Sequence, residues 1–334
     1  MTTLLTGASG FVGSAVLREL LAARHEVRVL LRETSDRSNL EGLDVEIVTG
    51  DLRDRASLDP ALRGCEALFH VAADYRIWAR NLAILYENNV TGTRHILEAA
   101  GEAGVKRIVH TSSVAALGLP KEGGAGDEET PVTLDDMIGH YKRSKFLAEE
   151  EVRRLVAKGL PVVTVNPAAP VGPRDIKPTP TGRMIVEAAC GRVPAYVDTG
   201  LSVVHVEDVA KGHLLAFEKG EIGRRYVLGG DNLALRRILE KIAGITGRPG
   251  PKFRVPHNVI LPIAAVAELW TRLSGGDQPF VSIDSVRMSK KRMFYSSERA
   301  KKELGYAPRP AEEAFRDAIT WFADHRYCPP PNGS

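Results

Sequence analysis

Cysteine is scarce in this chain: three in 334 residues, Cys65, Cys190 and Cys328, far apart and without C-x-x-C spacing. That excludes a disulfide framework and suggests no metal site; the odd count fits unpaired thiols in a reducing compartment. Net charge is only +3 and no block of like charge stands out, which argues against a nucleic-acid partner. Aromatics make up 6% of the residues. Long hydrophobic runs are missing too. The most apolar stretch near the C-terminus, Val259 to Ala267, is too short to span a bilayer and contains Pro262. The first strand begins at residue 3, which leaves no room for a signal or transit peptide, so a cytoplasmic protein is expected. With 43% hydrophobic and 26% charged residues, the composition is that of a globule large enough for two lobes.

What is present begins at once. Thr3-Leu4-Leu5-Thr6 reads as a short strand running into Gly7-x-x-Gly10-x-x-Gly13 and then into a helical stretch from Ser14 to Arg24. Such a turn brings backbone N–H groups close to a pyrophosphate and sets the anion on the positive end of a helix. Strands are expected at 26–32, 44–50, 67–72, 107–111 and 162–166, with helices at 54–63, 86–103 and 141–158 between them. This alternation predicts an α/β, doubly wound parallel sheet of the Rossmann type, its ligand at the carboxyl ends of the strands. Prolines crowd residues 167–180 and mark a boundary. The expected division is a nucleotide-binding domain over 1–170, rejoined by about 201–230, and a smaller, mainly helical substrate lobe over 171–334 with a disordered tail at 329–334.

Two further signals carry chemistry. Tyr141 and Lys145 are four apart, so on a helix they share a face; a neighbouring ammonium favours the phenolate and makes the phenol a usable acid or base. Thr111-Ser112-Ser113 ends a strand, where a hydroxyl can hydrogen-bond a substrate oxygen that gains charge.

Taken in order, Gly7-x-x-Gly10-x-x-Gly13, Gly50-Asp51-Leu52, His70-Val71-Ala72-Ala73, Asn88-Asn89-Val90-x-Gly92-Thr93, Thr111-Ser112-Ser113 and Tyr141-x-x-x-Lys145 resemble the extended short-chain dehydrogenase/reductase superfamily. Asn166-Pro167-Ala168, the 204–210 segment and 297–306 agree with it, so the likeness covers nearly the whole chain. Within the superfamily the wording is similar to the dihydroflavonol-reductase-like branch and to the bacterial proteins called hopanoid-associated sugar epimerases. The resemblance implies roles. Tyr141 would be the acid/base, Lys145 would hold the nicotinamide ribose and lower the Tyr141 pKa, and Ser113, in preference to Ser112, would bind the reacting oxygen. Gly7, Ser9, Gly10, Phe11, Val12 and Gly13 would hold the dinucleotide. Asp51 and Leu52 would flank the adenine, Ala72, Ala73 and Asn88 would line the cofactor, and Pro167 would lie near the nicotinamide. It also implies a homodimer paired through the helices near 90–103 and 141–158.

Family members that bind NAD place an acid at the end of the second strand; this chain has Arg32, followed by Glu33, Thr34, Ser35 and Arg37. A guanidinium suits a 2′-phosphate, so NADP(H) is expected over NAD(H). On the substrate side, Tyr75 and Trp78 could stack on a ring or cover a lipid, and Arg76 could pair with an anion. Arg174, Arg183 and Arg287 are further anion candidates, and His205 reads as a structural turn before a helix. The apolar 259–267 stretch reads as a buried helix of the second lobe, with a greasy wall for a polyprenyl-like or triterpenoid substrate, or a membrane-surface contact, as the alternative. The leading expectation is an NADP(H)-dependent oxidoreductase acting on a carbonyl or alcohol of a ring-bearing or sugar-like small molecule. The alternatives are a sugar epimerase, nucleotide-linked or on the hopanoid pathway, and a silent NADP(H) sensor.

Overall fold

A computed structural model describes residues 1–276 and 279–332. The first lobe runs β1 (Thr2–Thr6), α1 (Phe11–Ala22), β2 (Glu26–Leu31), β3 (Glu46–Thr49), α2 (Asp59–Leu62), β4 (Ala67–His70), α3 (Leu82–Tyr86), α4 (Gly92–Glu102), β5 (Arg107–Thr111), α5 (Gly139–Val156) and β6 (Val162–Pro167). There follow β7 (Ala169–Val171), α6 (Pro180–Ala189), β8 (Ala195–Tyr196), β9 (Gly200–His205), α7 (Val206–Lys219), β10 (Arg225–Leu228), β11 (Asp231–Ala234) and α8 (Leu235–Thr246). The chain ends with β12 (Phe253–Arg254), α9 (His257–Ser274), α10 (Ile283–Ser289), β13 (Arg292–Met293) and α11 (Ala311–Asp324).

Seven strands form one parallel sheet in the order β10-β6-β5-β4-β1-β2-β3, so the segment around 225–228 returns to the first lobe. Its central strands are buried almost throughout because helices cover both faces. Leu5, Phe69, Val109 and Val163 point to the α1 and α7 side, whereas Leu4, Leu68, Ile108 and Val162 point to the side of α2, α4 and α5. Strand order reverses between β1 and β4, and the crevice beyond their carboxyl ends is where such sheets take ligands.

The second lobe has its own core, in which Ile185, Val203, Ile238, Phe315 and Phe322 pack together from α6, β9, α8 and α11. It also contains β11, β12 and β13, short strands within the 171–334 lobe expected to be mainly helical. The expected helix over 86–103 starts earlier, at Leu82, and passes through a π-helical segment at Glu87–Thr91.

Two expectations are corrected. Residues 259–267 do form a helix, α9, but only Ala264 and Thr271 of its 18 residues are buried; the apolar run faces outward. The tail is docked rather than loose over 329–332: the Asn332 backbone N–H donates to Thr246 O at 3.0 Å and Arg248 donates to Pro330 O at 3.0 Å. Gly333 and Ser334 lie outside the described residues.

Candidate active site

The glycine turn is built by close approach. Gly7 adopts φ +79°, and a Cβ there would lie 2.6 Å from the Ala72 nitrogen; at Gly13 it would lie 1.9 Å from the Gly7 carbonyl oxygen. Side chains are therefore excluded, and backbone is left facing the N-terminus of α1, a surface that fits the pyrophosphate of a dinucleotide. Gly10 N–H closes the turn on Gly7 O at 2.9 Å, which sets Ser9, Phe11 and Val12 around the helix start. Ala72 donates its N–H to Thr6 Oγ1 at 3.2 Å, so the ends of β1 and β4 are tied where the crevice opens.

Further along the sheet edge, Arg32 directly follows β2, is exposed, and lies close enough to Asp51 to lower its carboxyl pKa; the larger cause is the bidentate Arg53 partner of Asp51. Leu52 backs this corner against Gly92, where an added Cβ would meet Leu52 at 2.9 Å. The corner thus presents the Asp51 carboxylate paired with Arg53, with the Arg32 guanidinium nearby.

At the other end of the crevice, Ser113 and Tyr141 meet. Ser113 lies close enough to Tyr141 to offset part of the rise in its phenol pKa, and its hydroxyl accepts the Ala115 N–H at 3.1 Å. Ser112 points elsewhere: its hydroxyl donates to buried Glu149 at 2.6 Å. Glu149 also accepts from Asn166 Nδ2 at 3.0 Å and pairs with Arg225 at 3.0 Å, binding α5 to the ends of β5, β6 and β10. Pro167 ends β6 beside this network, in register with Leu228.

Lys145 lies one turn along α5 from Tyr141, with its Nζ donating to Thr111 O at 3.0 Å. Burial pulls its pKa down to about 8, opposed by Glu149. The expected lowering of the phenol is not found: burial pushes Tyr141 above the usual tyrosine range, Ser113 offsets part of this, and the lysine amine is drawn to a carbonyl. Beneath the site, burial holds His70 at about 3 and His213 at about 4, so both are neutral at physiological pH. His70 shares hydrogen bonds with Thr6 and Thr93 at 2.8 and 3.0 Å.

The 73–81 loop lies between β4 and α3. Ala73 is exposed at its start, Tyr75 is 45% exposed and Trp78 half-buried. Arg76 is committed to Asp74 through its Nε at 2.9 Å and is not free to take an external anion. Asn88, half-buried, reaches Asp74 at 3.5 Å, but the stronger brace is Asn89, which the sequence reading quoted without a role. Its amide accepts from the Asp74 N–H at 2.7 Å and donates to Asp74 O and Ser144 Oγ at 2.8 and 2.9 Å. Asn39 was missed outright: its amide donates to Ser9 O and Arg174 O, both at 3.2 Å, joining the glycine turn to the 171–175 loop. An asparagine in a short 3₁₀ segment gives no motif by which to find it.

Among the remaining candidates, Arg174 pairs with Glu207 at 3.1 Å and Arg287 with Asp284 at 3.7 Å. His205 is fully buried and caps α7, accepting the Glu207 N–H at 3.1 Å. The three cysteines are free.

This arrangement agrees with comparison to known proteins. Residues 3–229 match the model of the NAD dependent epimerase/dehydratase family. A Synechocystis sp. protein named "Putative dihydroflavonol 4-reductase" is 43% identical over 97% of this chain and 95% of its own length. "Sterol demethylase protein B" of Methylococcus capsulatus is 38% identical over 97% and 99%. The crystal structure of gox2253 superposes with a TM-score of 0.88 at 52% identity, covering 98% of this chain and 99% of that one.

Proposed function

The chain belongs to the NAD dependent epimerase/dehydratase family, an oxidoreductase and epimerase family using a nicotinamide cofactor, and on that premise we propose that it is an NADP(H)-dependent oxidoreductase of a ring-bearing carbonyl compound or its alcohol. The observation that carries this reading is the meeting of Ser113 and Tyr141 at the cleft, with Lys145 one helical turn on. The glycine turn and the ends of β1 and β4 would hold a nicotinamide cofactor, which would supply or accept hydride at the substrate carbon. Tyr141 holds the proton that the carbonyl oxygen takes up, or receives it from the alcohol. Ser113 fixes that oxygen by hydrogen bonding, and Lys145, held on the Thr111 carbonyl one turn along α5, is placed to hold the nicotinamide ribose. Arg32, next to Asp51, supports NADP(H) over NAD(H), because its guanidinium offers a 2′-phosphate a bidentate partner. The names of the two relatives, a dihydroflavonol reductase and a sterol demethylase protein, support a fused-ring, largely apolar substrate.

A panel of ring ketones followed by NADPH absorbance tests the reading. Stoichiometric NADPH oxidation is expected, with weaker NADH use. Tyr141→Phe should lower kcat by roughly 10²- to 10⁴-fold while leaving NADPH affinity within a few-fold. Undiminished turnover in that variant would remove the proposed role. The family model also covers epimerases, and isomerised sugar formed without net NADPH consumption would select that second reading.

A further inference from the structure

Helix α9 turns its apolar side outward. Val259, Ile263, Val266, Leu269, Trp270 and Leu273 fall within one third of the helix circumference, and Val266, Trp270 and Leu273 are 68, 71 and 76% exposed. Between Pro262, Ile263, Val266 and Trp270 the surface dips into a groove of about 490 Å³. The buried positions, Ala264 and Thr271, lie on the opposite side, which inverts the usual pattern of a surface helix. The stripe is about 21 Å long at 1.5 Å per residue. Among the described residues no helix is long and apolar enough to cross a membrane, so such a face can lie on a bilayer but not pass through it.

Among the described residues, the unpaired charges at the ends of the stripe are positive. The only acid on the helix, Glu268, turns inward and accepts the Ile283 N–H at 2.7 Å. Arg272 stands on its flank, Lys252 precedes it, and Lys290 follows α10, held near the start of α9 by the His257–Ser289 hydrogen bond of 2.9 Å. All three are exposed and have no ion pair among the described residues, whereas the neighbouring acids Asp198 and Asp284 are already paired with Arg292 and Arg287. Cations therefore stand at both ends of a greasy strip.

We propose that α9 docks the protein in the plane of an anionic lipid bilayer. This rests on reading the active site as one for an apolar ring compound, and it names the source from which that compound arrives. Two contacts join the inward side of α9 and the neighbouring α10 to segments of the cleft. Arg80, at the end of the 73–81 loop, donates to Thr271 O of α9 at 3.2 Å. Gly139, two residues before Tyr141, sits against α10, where an added Cβ would lie 2.8 Å from Asp284. Docking on α9 holds the protein at the surface in which an insoluble substrate is dissolved. A second copy of the chain is a poorer occupant: two-fold antiparallel pairing would set Arg272 of one copy against the Lys252 and Lys290 end of the other.

Flotation of the whole protein with vesicles decides the matter. Phosphatidylcholine vesicles containing about one-third phosphatidylglycerol should carry it, pure phosphatidylcholine should carry less, and about 1 M salt should weaken the association. Trp270 emission should shift to the blue on vesicle addition. Joint Val266→Glu and Trp270→Glu substitution, at exposed positions, should reduce vesicle binding at least ~10-fold with NADPH affinity and melting temperature unchanged. The proposal is overturned if the wild type stays with the soluble fraction, or if the double variant floats equally well. A lipid-independent dimer that the double variant dissolves would overturn it in favour of self-association. Vesicle binding is read without turnover, so a protein that floats but reduces no ketone sinks the functional reading alone.

Discussion

At the residue scale, Lys145 is where burial and chemistry oppose each other. Its pKa is drawn from 10.5 to about 8 by burial. Below about pH 8 the amine is charged in both folded and unfolded chains, and its burial costs stability on the order of 3 kcal/mol. Between about 8 and 10.5 the unfolded chain binds the extra proton, so this cost fades as pH rises. The melting temperature of the wild type should therefore climb relative to Lys145→Met from pH 7 to pH 10; parallel profiles would show that Lys145 is not held in this state. The residue types of the site were legible in the sequence, since spacing alone put Tyr141 and Lys145 on one face. Its wiring was not. Ser113 is distinguished from Ser112 by Glu149, which stands 37 residues away and reads in sequence as one more helix-surface acid. Arg76 looked free until the fold brought its guanidinium back onto Asp74, two residues earlier.

At the element scale, α1 owes its position to the absence of side chains in the turn before it. In Gly13→Ala the new Cβ would meet Gly7 O at 1.9 Å and Gly7 C at 2.5 Å, both backbone atoms that cannot move without opening the turn. NADPH affinity should drop by roughly 100-fold or more, about 3 kcal/mol. Gly244→Ala is the matched control: it lies inside α8 with nothing within 4 Å, so the substitution should leave NADPH binding alone and add up to about 1 kcal/mol of stability. Fluorescence titration with NADPH and thermal melts separate the two. If Gly13→Ala binds like the wild type, the turn is not where the dinucleotide sits. Helices and strands were readable from periodicity, but α9 shows the limit of that signal. The apolar run predicted a helix over 259–267 but not which side meets protein, because an apolar residue scores the same facing a core or a lipid surface.

At the scale of the whole molecule, Arg309 is one of the side chains that join the second lobe to the first. Arg309, just before α11 of the second lobe, reaches to the start of α7, the helix that packs on α1 behind the glycine turn. Its Nε donates to buried Asp208 at 2.9 Å, its Nη2 to Glu207 at 3.2 Å, and its own backbone N–H to Asp208 at 2.8 Å. Nothing in the sequence joins residue 309 to 207–208; only the crossing of β7 and β9 out of the main sheet brings them together. Arg309→Ala leaves the Asp208 carboxylate buried with its charge partner gone, which should destabilise by about 2–4 kcal/mol, less than a fully buried pair because the arginine is partly exposed. Lysine at the same place restores the charge but not the fork, so Arg309→Lys should recover less than half of the loss. Urea unfolding of the three proteins measures this directly. NADPH affinity should stay within about two-fold of wild type in the folded variants, because the residues assigned to the dinucleotide lie on other segments. Unfolding midpoints that coincide for all three would mean that the lobes are held by the second core alone.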